Sequence, residues 1–147
     1  MTQTDLIIIG SGPGGYRTAQ YAVQCGLQVI VVEAAEAGGT CLNCGCIPTK
    51  SLAHDAELAL EGCPTDFSKA LERKEGVVES LRSSVEMILS SPGITLVKGK
   101  AQFTGEKVIT VNGEEYTANH IIVATGSSSK FPPGLSDELL TTNAIGS

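Results

Sequence analysis

Asp5-Leu-Ile-Ile-Ile9 runs directly into Gly10-Ser-Gly-Pro-Gly-Gly15, and that junction restricts the chain to very few folds. The apolar, β-branched run suits a strand buried on both faces, as in a parallel sheet. Residues 16–24 then follow a helical pattern with Ala19, Ala22 and Val23 apolar, and Gly26 suits the end of that helix. Gln28-Val-Ile-Val-Val-Glu33 reads as a second buried strand. Strand, glycine turn, helix and strand make a βαβ unit.

Each glycine of Gly10-x-Gly12-x-x-Gly15 has its own physical task. Gly10 permits the tight turn, Gly12 lets the backbone approach a pyrophosphate, and Gly15 lets helix and strand pack closely. Amides left unpaired at the helix start, with its partial positive charge, hold a diphosphate, and Pro13 and Gly14 lie in the same turn. Glu33 ends the second strand, where an acid accepts hydrogen bonds from ribose hydroxyls and disfavours a 2′-phosphate. The pattern specifies a dinucleotide. It does not by itself choose FAD from NAD.

At 147 residues the chain has the length of one domain, enough for a real core. Sixteen acidic against ten basic residues give a net charge of −6, which argues against a nucleic-acid surface. No apolar run approaches the roughly 18 residues of a membrane span. The start, Met1-Thr-Gln-Thr-Asp5, lacks the basic and apolar stretches of a signal peptide, so a cytoplasmic address is expected.

Residues 34–40 read as loop. One helix is expected from near the cysteine cluster to about Leu60, with Leu52, Ala53, Ala56, Ala59 and Leu60 on one side. A long helix capped by Asp66 or Ser68 follows, reaching about Ser90, with Leu71, Val78, Leu81, Val85, Ile88 and Leu89 as its stripe. Short strands are expected at 94–98, 107–111, 115–117 and 120–124, and Asn112-Gly113 is a strong hairpin signal. Pro132-Pro133-Gly134 reads as linker, and no internal repeat is visible.

Three of the five cysteines fall within six residues, in Gly38-Gly-Thr-Cys-Leu-Asn-Cys-Gly-Cys-Ile-Pro-Thr-Lys50. With no export signal, such clustering points to chemistry rather than to a disulfide framework. This segment, directly after the dinucleotide unit, resembles the N-terminal FAD-binding region of the pyridine nucleotide–disulfide oxidoreductases, and Leu42 and Ile47 lean towards their dihydrolipoamide-oxidising branch. The implied fold is α/β: a Rossmann-like FAD-binding domain with a central parallel sheet and a small antiparallel β-meander.

The resemblance implies that Cys41 and Cys46 form the redox disulfide, Cys41 as the outer, substrate-exchanging sulfur and Cys46 as the inner one beside the flavin. Thiolates near a helix start are stabilised, and exchange needs one sulfur for the substrate and one for the internal relay. Lys50, four residues after Cys46, is implied to lie near the flavin's reactive nitrogen. Ala34, Gly39 and Thr40 join Gly10, Gly12, Pro13, Gly14, Gly15 and Glu33 as implied cofactor contacts. Ala124-Thr-Gly-Ser127 resembles the family's second glycine signature, where backbone passes close to the flavin, and Gly99-Lys-Ala101 the segment that meets the adenine.

Cys44 departs from the family pattern, and a small buried side chain is the expectation for it, although its thiol is placed to pair with Cys41 or Cys46 in an oxidised sample. Structural zinc wants four ligands, typically in two separated pairs, while Cys25 and Cys63 are isolated; no metal centre is expected. His54 and His120 have no assigned role.

The resemblance covers only the first part of the family's polypeptide. The chain holds no second GxGxxG for NAD and no later His-Glu acid–base pair, so it is expected to be a piece of a larger flavoenzyme, inactive alone. The implied parent oxidises dihydrolipoamide with NAD⁺ through FAD. Its implied partners are a small dithiol or disulfide substrate, including one carried on the lipoyl domain of a 2-oxoacid dehydrogenase complex, and a second subunit. A related disulfide or mercuric reductase, or a non-catalytic dinucleotide-binding module, is the alternative.

Overall fold

A computed structural model describes residues 1–63 and 66–128. The elements are β1 Thr2–Ile9, α1 Pro13–Gln24, β2 Val29–Glu33, α2 Gly39–Asn43, α3 Cys46–Leu60, α4 Phe67–Leu89, β3 Ile94–Lys98, β4 Gln102–Gly105, β5 Val108–Val111 and β6 Glu114–Val123. They form two compact units, one of Met1–Gly39 with Ser83–Gly126 and one containing Thr40–Arg82.

The first unit is built on a six-stranded sheet in the order β3-β2-β1-β6-β5-β4. β3, β2, β1 and β6 are parallel, while β6, β5 and β4 continue antiparallel. The parallel part has the doubly wound order, with β1 central and the chain departing to opposite sides of it. Strand residues alternate between two faces, and both faces are apolar here. Ile8 lies on the side of α1, whose Gly15, Ala19 and Ala22 are buried. Ile7, Ile9, Ile30 and Val32 form a core with Ile109, Val111, Tyr116 and Ala118 of the antiparallel strands. Each large aliphatic side chain so buried contributes about 1.5–3 kcal/mol.

The predicted βαβ unit stands, with β1 and α1 each starting three residues early. α1 ends as a Schellman turn: Gly26, at φ +85°, donates to Val23 at 2.9 Å, and Leu27 to Ala22 at 3.1 Å. Asp66 rather than Ser68 caps α4, its carboxylate accepting from the Ser68 N–H at 3.1 Å. Asn112 (φ +52°) and Gly113 (φ +85°) form the expected hairpin turn between β5 and β6.

Several expectations are corrected. The strands expected at 115–117 and 120–124 are one strand, β6, because β1 holds it on one side from Tyr116 to Val123 and β5 pairs with its start on the other. The strand expected at 94–98 is β3, and it pairs in parallel with β2. β4 was not expected at all; every residue in it is exposed, so it carries no alternation to read. The helix expected from the cysteine cluster is two, α2 and α3, broken at Cys44 and Gly45, and α2 takes up Gly39 and Thr40 from the expected loop. The stripe expected on α3 is also wrong: Leu60 is 89% exposed, and Ala53, Ala56 and Ala59 are exposed too. The buried side is Pro48, Ser51 and Asp55. Pro132-Pro133-Gly134 lies outside the described residues. Among the described residues, no helix is long and apolar enough to cross a membrane.

Candidate functional site: a glycine cradle and a redox disulfide

At the carboxyl ends of β1, β2 and β6 the backbone is packed too closely for side chains. A Cβ on Gly15 would collide with the carbonyl oxygen of Gly10, and one on Gly10 (φ +105°) with the carbonyl of Ala124. Gly39 (φ +66°) lies against Gly12, where an added Cβ would stand 2.7 Å from the Gly12 Cα. Gly12 differs from its neighbours: a Cβ there would meet only the Gly39 Cα, at an ordinary contact distance of 3.7 Å. Gly12, the N-cap of α1, offers no capping side chain; the Gly15 N–H donates to the Gly12 carbonyl at 2.8 Å and Pro13 has no N–H, which leaves the Gly12 and Gly14 amides at the helix start for an anion.

Glu33 leaves β2 beside this loop. Its Oε2 accepts from the Ser11 N–H at 2.8 Å and the Ser11 hydroxyl at 2.6 Å, and its Oε1 from the Ala35 N–H at 2.8 Å. Ser11, fully buried, therefore aims the acid; sequence reasoning read only the glycines around it. A hydroxyl inside the GxG and an acid ending the neighbouring strand was the available signal. Residues 34–39 return over the loop, tied by the Gly38 N–H to the Ser11 carbonyl at 3.1 Å and by Lys98 Nζ to the Ala35 carbonyl at 3.2 Å. Ala34 is exposed on this return.

The second glycine signature meets the same loop. The Ala124 N–H donates to the Ile9 carbonyl at 2.8 Å, its Cβ is 4.0 Å from the position of a Gly14 Cβ, and Gly126 has a φ of +67° that favours glycine. Gly99 donates to the Glu33 carbonyl at 2.8 Å, which brings the 99–101 segment to the end of β2; Ala101 packs on the core. Pro13, Gly14 and Thr125 are exposed around the cradle.

Burial by itself would raise the Glu33 pKa, but hydrogen bonds from Ser11 and Ala35, with Lys98 nearby, outweigh it and hold the carboxyl below its ordinary value. A carboxylate with a lowered folded pKa stabilises the fold above the unfolded pKa, about 4.3, and that contribution is lost as pH falls through the folded pKa. Glu33→Gln is therefore expected to lower the urea midpoint at neutral pH. The gap from the parent chain should close on acidification below about pH 4, which parallel urea titrations measure.

In the second unit, Cys41 in α2 and Cys46 at the head of α3 form a disulfide with Cα atoms 4.7 Å apart. Cys46 is exposed and Cys41 half-buried. Gly45 is needed between them, since a Cβ there would stand 3.0 Å from the Thr40 carbonyl oxygen. Lys50 is exposed one turn after Cys46 on α3; Thr40 and Ser127 are also exposed. Cys44 is half-buried with a free thiol rather than fully buried.

Two arginines of α4 hold the disulfide helices. Arg73 binds both Asp55 carboxylate oxygens, from Nε at 2.9 and 3.1 Å and from Nη2 at 2.9 Å, and reaches the Ser51 carbonyl at 2.6 Å. Arg82 Nε donates to Asn43 Oδ1 at 2.9 Å. These bonds explain why α3 buries Asp55 instead of its alanines: a bidentate pair satisfies the charge. Among the described residues, no group of three or more His, Cys, Asp or Glu is arranged to hold a metal ion.

The pyridine nucleotide-disulphide oxidoreductase profile matches residues 4–146. The chain is similar to dihydrolipoyl dehydrogenase of Thermus scotoductus, 46% identical over 138 residues, covering 86% of this chain and 30% of the relative. It is similar to that of Acholeplasma laidlawii at 38% identity, covering 88% and 42%. Among solved structures it resembles the Cu(II) complex of the HOCl-induced flavoprotein disulfide reductase RclA from Escherichia coli, with a TM-score of 0.83 and 34% identity over 90% of this chain and 31% of that one. The chain thus spans about a third of the length of the curated relatives it matches.

Proposed function

The chain belongs to the pyridine nucleotide-disulphide oxidoreductase family, and on that premise we propose that residues 1–147 are the N-terminal part of the FAD-binding domain of a dihydrolipoyl dehydrogenase, with Cys41–Cys46 as its redox disulfide. What carries the reading is one chain with both a glycine cradle beside a fixed acid and a CxxxxC disulfide at the head of a helix.

The cradle fits FAD. Gly12 and the uncapped start of α1 take the diphosphate. Glu33, held by Ser11 and Ala35, takes the ribose hydroxyls, and Ala124, Thr125 and Gly126 bring backbone alongside. When bound, FAD supplies a two-electron acceptor between a dithiol and NAD⁺.

This chain's sulfurs do the rest. A substrate thiolate attacks Cys41 to give a mixed disulfide and frees Cys46 as a thiolate, which the start of α3 stabilises. The second substrate thiol then attacks the mixed disulfide and leaves as cyclic disulfide, with both cysteines reduced. Lys50 adds a positive charge one turn from Cys46. NAD⁺ as final acceptor, a lipoyl domain as substrate carrier, pairing with a second subunit and a cytoplasmic address complete the proposal.

The substrate class is tested on the oxidised chain. Dihydrolipoamide is expected to open Cys41–Cys46 at least about tenfold faster than glutathione at equal thiol concentration, because its second thiol completes the exchange within one molecule. Alkylation and mass spectrometry of the freed thiols follow this. Equal rates would favour a glutathione-type reductase.

A further inference from the structure

The six residues from Cys41 to Cys46 hold three sulfurs, and the disulfide uses only two. Cys44 follows the last residue of α2 and donates its backbone N–H to the Thr40 carbonyl at 3.0 Å, closing the final turn of that helix. Cys41 and Cys44 are thus three residues apart on one turn, a spacing that sets Cβ atoms about 5–6 Å apart. A disulfide needs Cβ atoms at about 3.5–4.5 Å, which a small adjustment of a short helix end supplies. Cys46 reaches the same Cys41, at a Cα separation of 4.7 Å. Gly45 lets the chain fold this tightly: a Cβ there would lie 3.4 Å from the Cys41 Cα and 3.0 Å from the Thr40 oxygen. Cys41 therefore has two candidate partners within the next five residues.

We propose that Cys44 exchanges into the disulfide, converting the Cys41–Cys46 pair into a Cys41–Cys44 pair, so that the motif is a three-sulfur switch with two oxidised forms. Cys44 first gives its thiol proton to solvent. Its thiolate attacks Cys41 Sγ; the Cys44–Cys41 bond forms as the Cys41–Cys46 bond breaks, and the electron pair leaves on Cys46 Sγ. One disulfide and one thiol stand on each side of the exchange, so no oxidant or reductant is consumed, and protonation of Cys46 returns the proton. The departing thiolate sits at the first residue of the 15-residue α3, where the helix start favours negative charge. In the exchanged form Cys46 stands exposed as a lone thiol, and substrate attack at Cys41 frees Cys44 instead of Cys46. That consequence for turnover rests on the redox-pair reading above; the exchange itself rests only on the backbone spacing of the three cysteines and the Cys41–Cys46 bond.

The test needs neither flavin nor lipoamide, so a failure of the functional reading leaves its result intact. The oxidised chain is held without reductant at about pH 8.5, the ordinary cysteine pKa, then quenched in acid and labelled with N-ethylmaleimide. Cleavage after glutamate gives a peptide from Ala37 to Glu57 that contains Cys41, Cys44 and Cys46 but neither Cys25 nor Cys63. After reduction and a second alkylating label, fragmentation locates the maleimide. Label is expected on both Cys44 and Cys46, the Cys46 share exceeding about one part in a hundred, which corresponds to a preference for the resting pair below a hundredfold. Cys44→Ser, or Cys44→Ala, is expected to leave the peptide unlabelled. A Cys46 share below that level, label on Cys41, or Cys46 label that survives Cys44→Ser would each overturn the proposal.

Discussion

Gly15→Ala is expected to destabilise the chain severely, whereas Gly12→Ala should leave it folded and remove FAD. The two residues share one motif but meet different surroundings. A methyl on Gly15 has to enter the space of the Gly10 carbonyl, and α1 cannot retreat without breaking the packing of Ala19 and Ala22. Overpacking of this kind costs at least about 3 kcal/mol. Gly12 has an ordinary φ of −66°, and its added methyl meets only the Gly39 Cα at 3.7 Å. That methyl occupies the space a diphosphate needs, so FAD affinity should fall at least about 100-fold, or 2.7 kcal/mol, with little change in the melting temperature without ligand. Thermal melts with and without FAD separate the two outcomes. Equal loss of stability in both variants would mean that Gly12 is structural only.

Serine at either redox cysteine should have the largest effect on chemistry. With Cys44→Ser as background, so that no third thiol substitutes, Cys46→Ser leaves Cys41 free to form a mixed disulfide with oxidised lipoamide that nothing in the motif resolves. Cys41→Ser leaves Cys46, whose assigned place is on the flavin side. The mixed disulfide is expected to accumulate at least about tenfold more in the first variant than in the second. Intact-mass measurement reads this directly. Because Cys46 is exposed and Cys41 half-buried, simple exposure would give the reverse order. The experiment thus separates assigned role from mere access.

The parts of the fold legible in the sequence were those fixed by neighbours along the chain. β1, the glycine turn, α1 and β2 follow from a β-branched run, a glycine cluster and an apolar helix face within a few tens of residues. Asp66 and Asn112-Gly113 worked for the same reason, since caps and hairpin turns are local. The misreadings came from partners distant in sequence. α3 looked apolar on its alanine side, but Arg73, 18 residues on, satisfies Asp55 and turns the helix over. The expected strands 115–117 and 120–124 left a break at Ala118-Asn119, but β1 pairs along β6 from Tyr116 to Val123 and carries it through. β3 joined the parallel sheet because it pairs with β2, which no local alternation records.

The candidate site divides in the same way. Gly10, Gly12, Gly15, Glu33 and the Ala124-Thr-Gly segment were readable from motif and spacing, and they meet at the carboxyl ends of three strands. Ser11 was missed because its role exists only once β1 and β2 lie side by side. Arg73 and Arg82, which steady the disulfide helices, were missed because nothing near Cys41 or Cys46 refers to them. The disulfide itself followed from the family resemblance, and the Cα separation of 4.7 Å agrees with it.

The central claim, that this chain holds FAD on its glycine cradle, is tested most directly by melting the 147-residue chain with FAD, with NAD⁺ and with neither. FAD at about 100 times its Kd stabilises by about 2.7 kcal/mol, a rise of several degrees for a chain of this size. That rise is expected with FAD, a smaller one with NAD⁺ at the same concentration, and its loss in Gly12→Ala. A rise with NAD⁺ and none with FAD would contradict it.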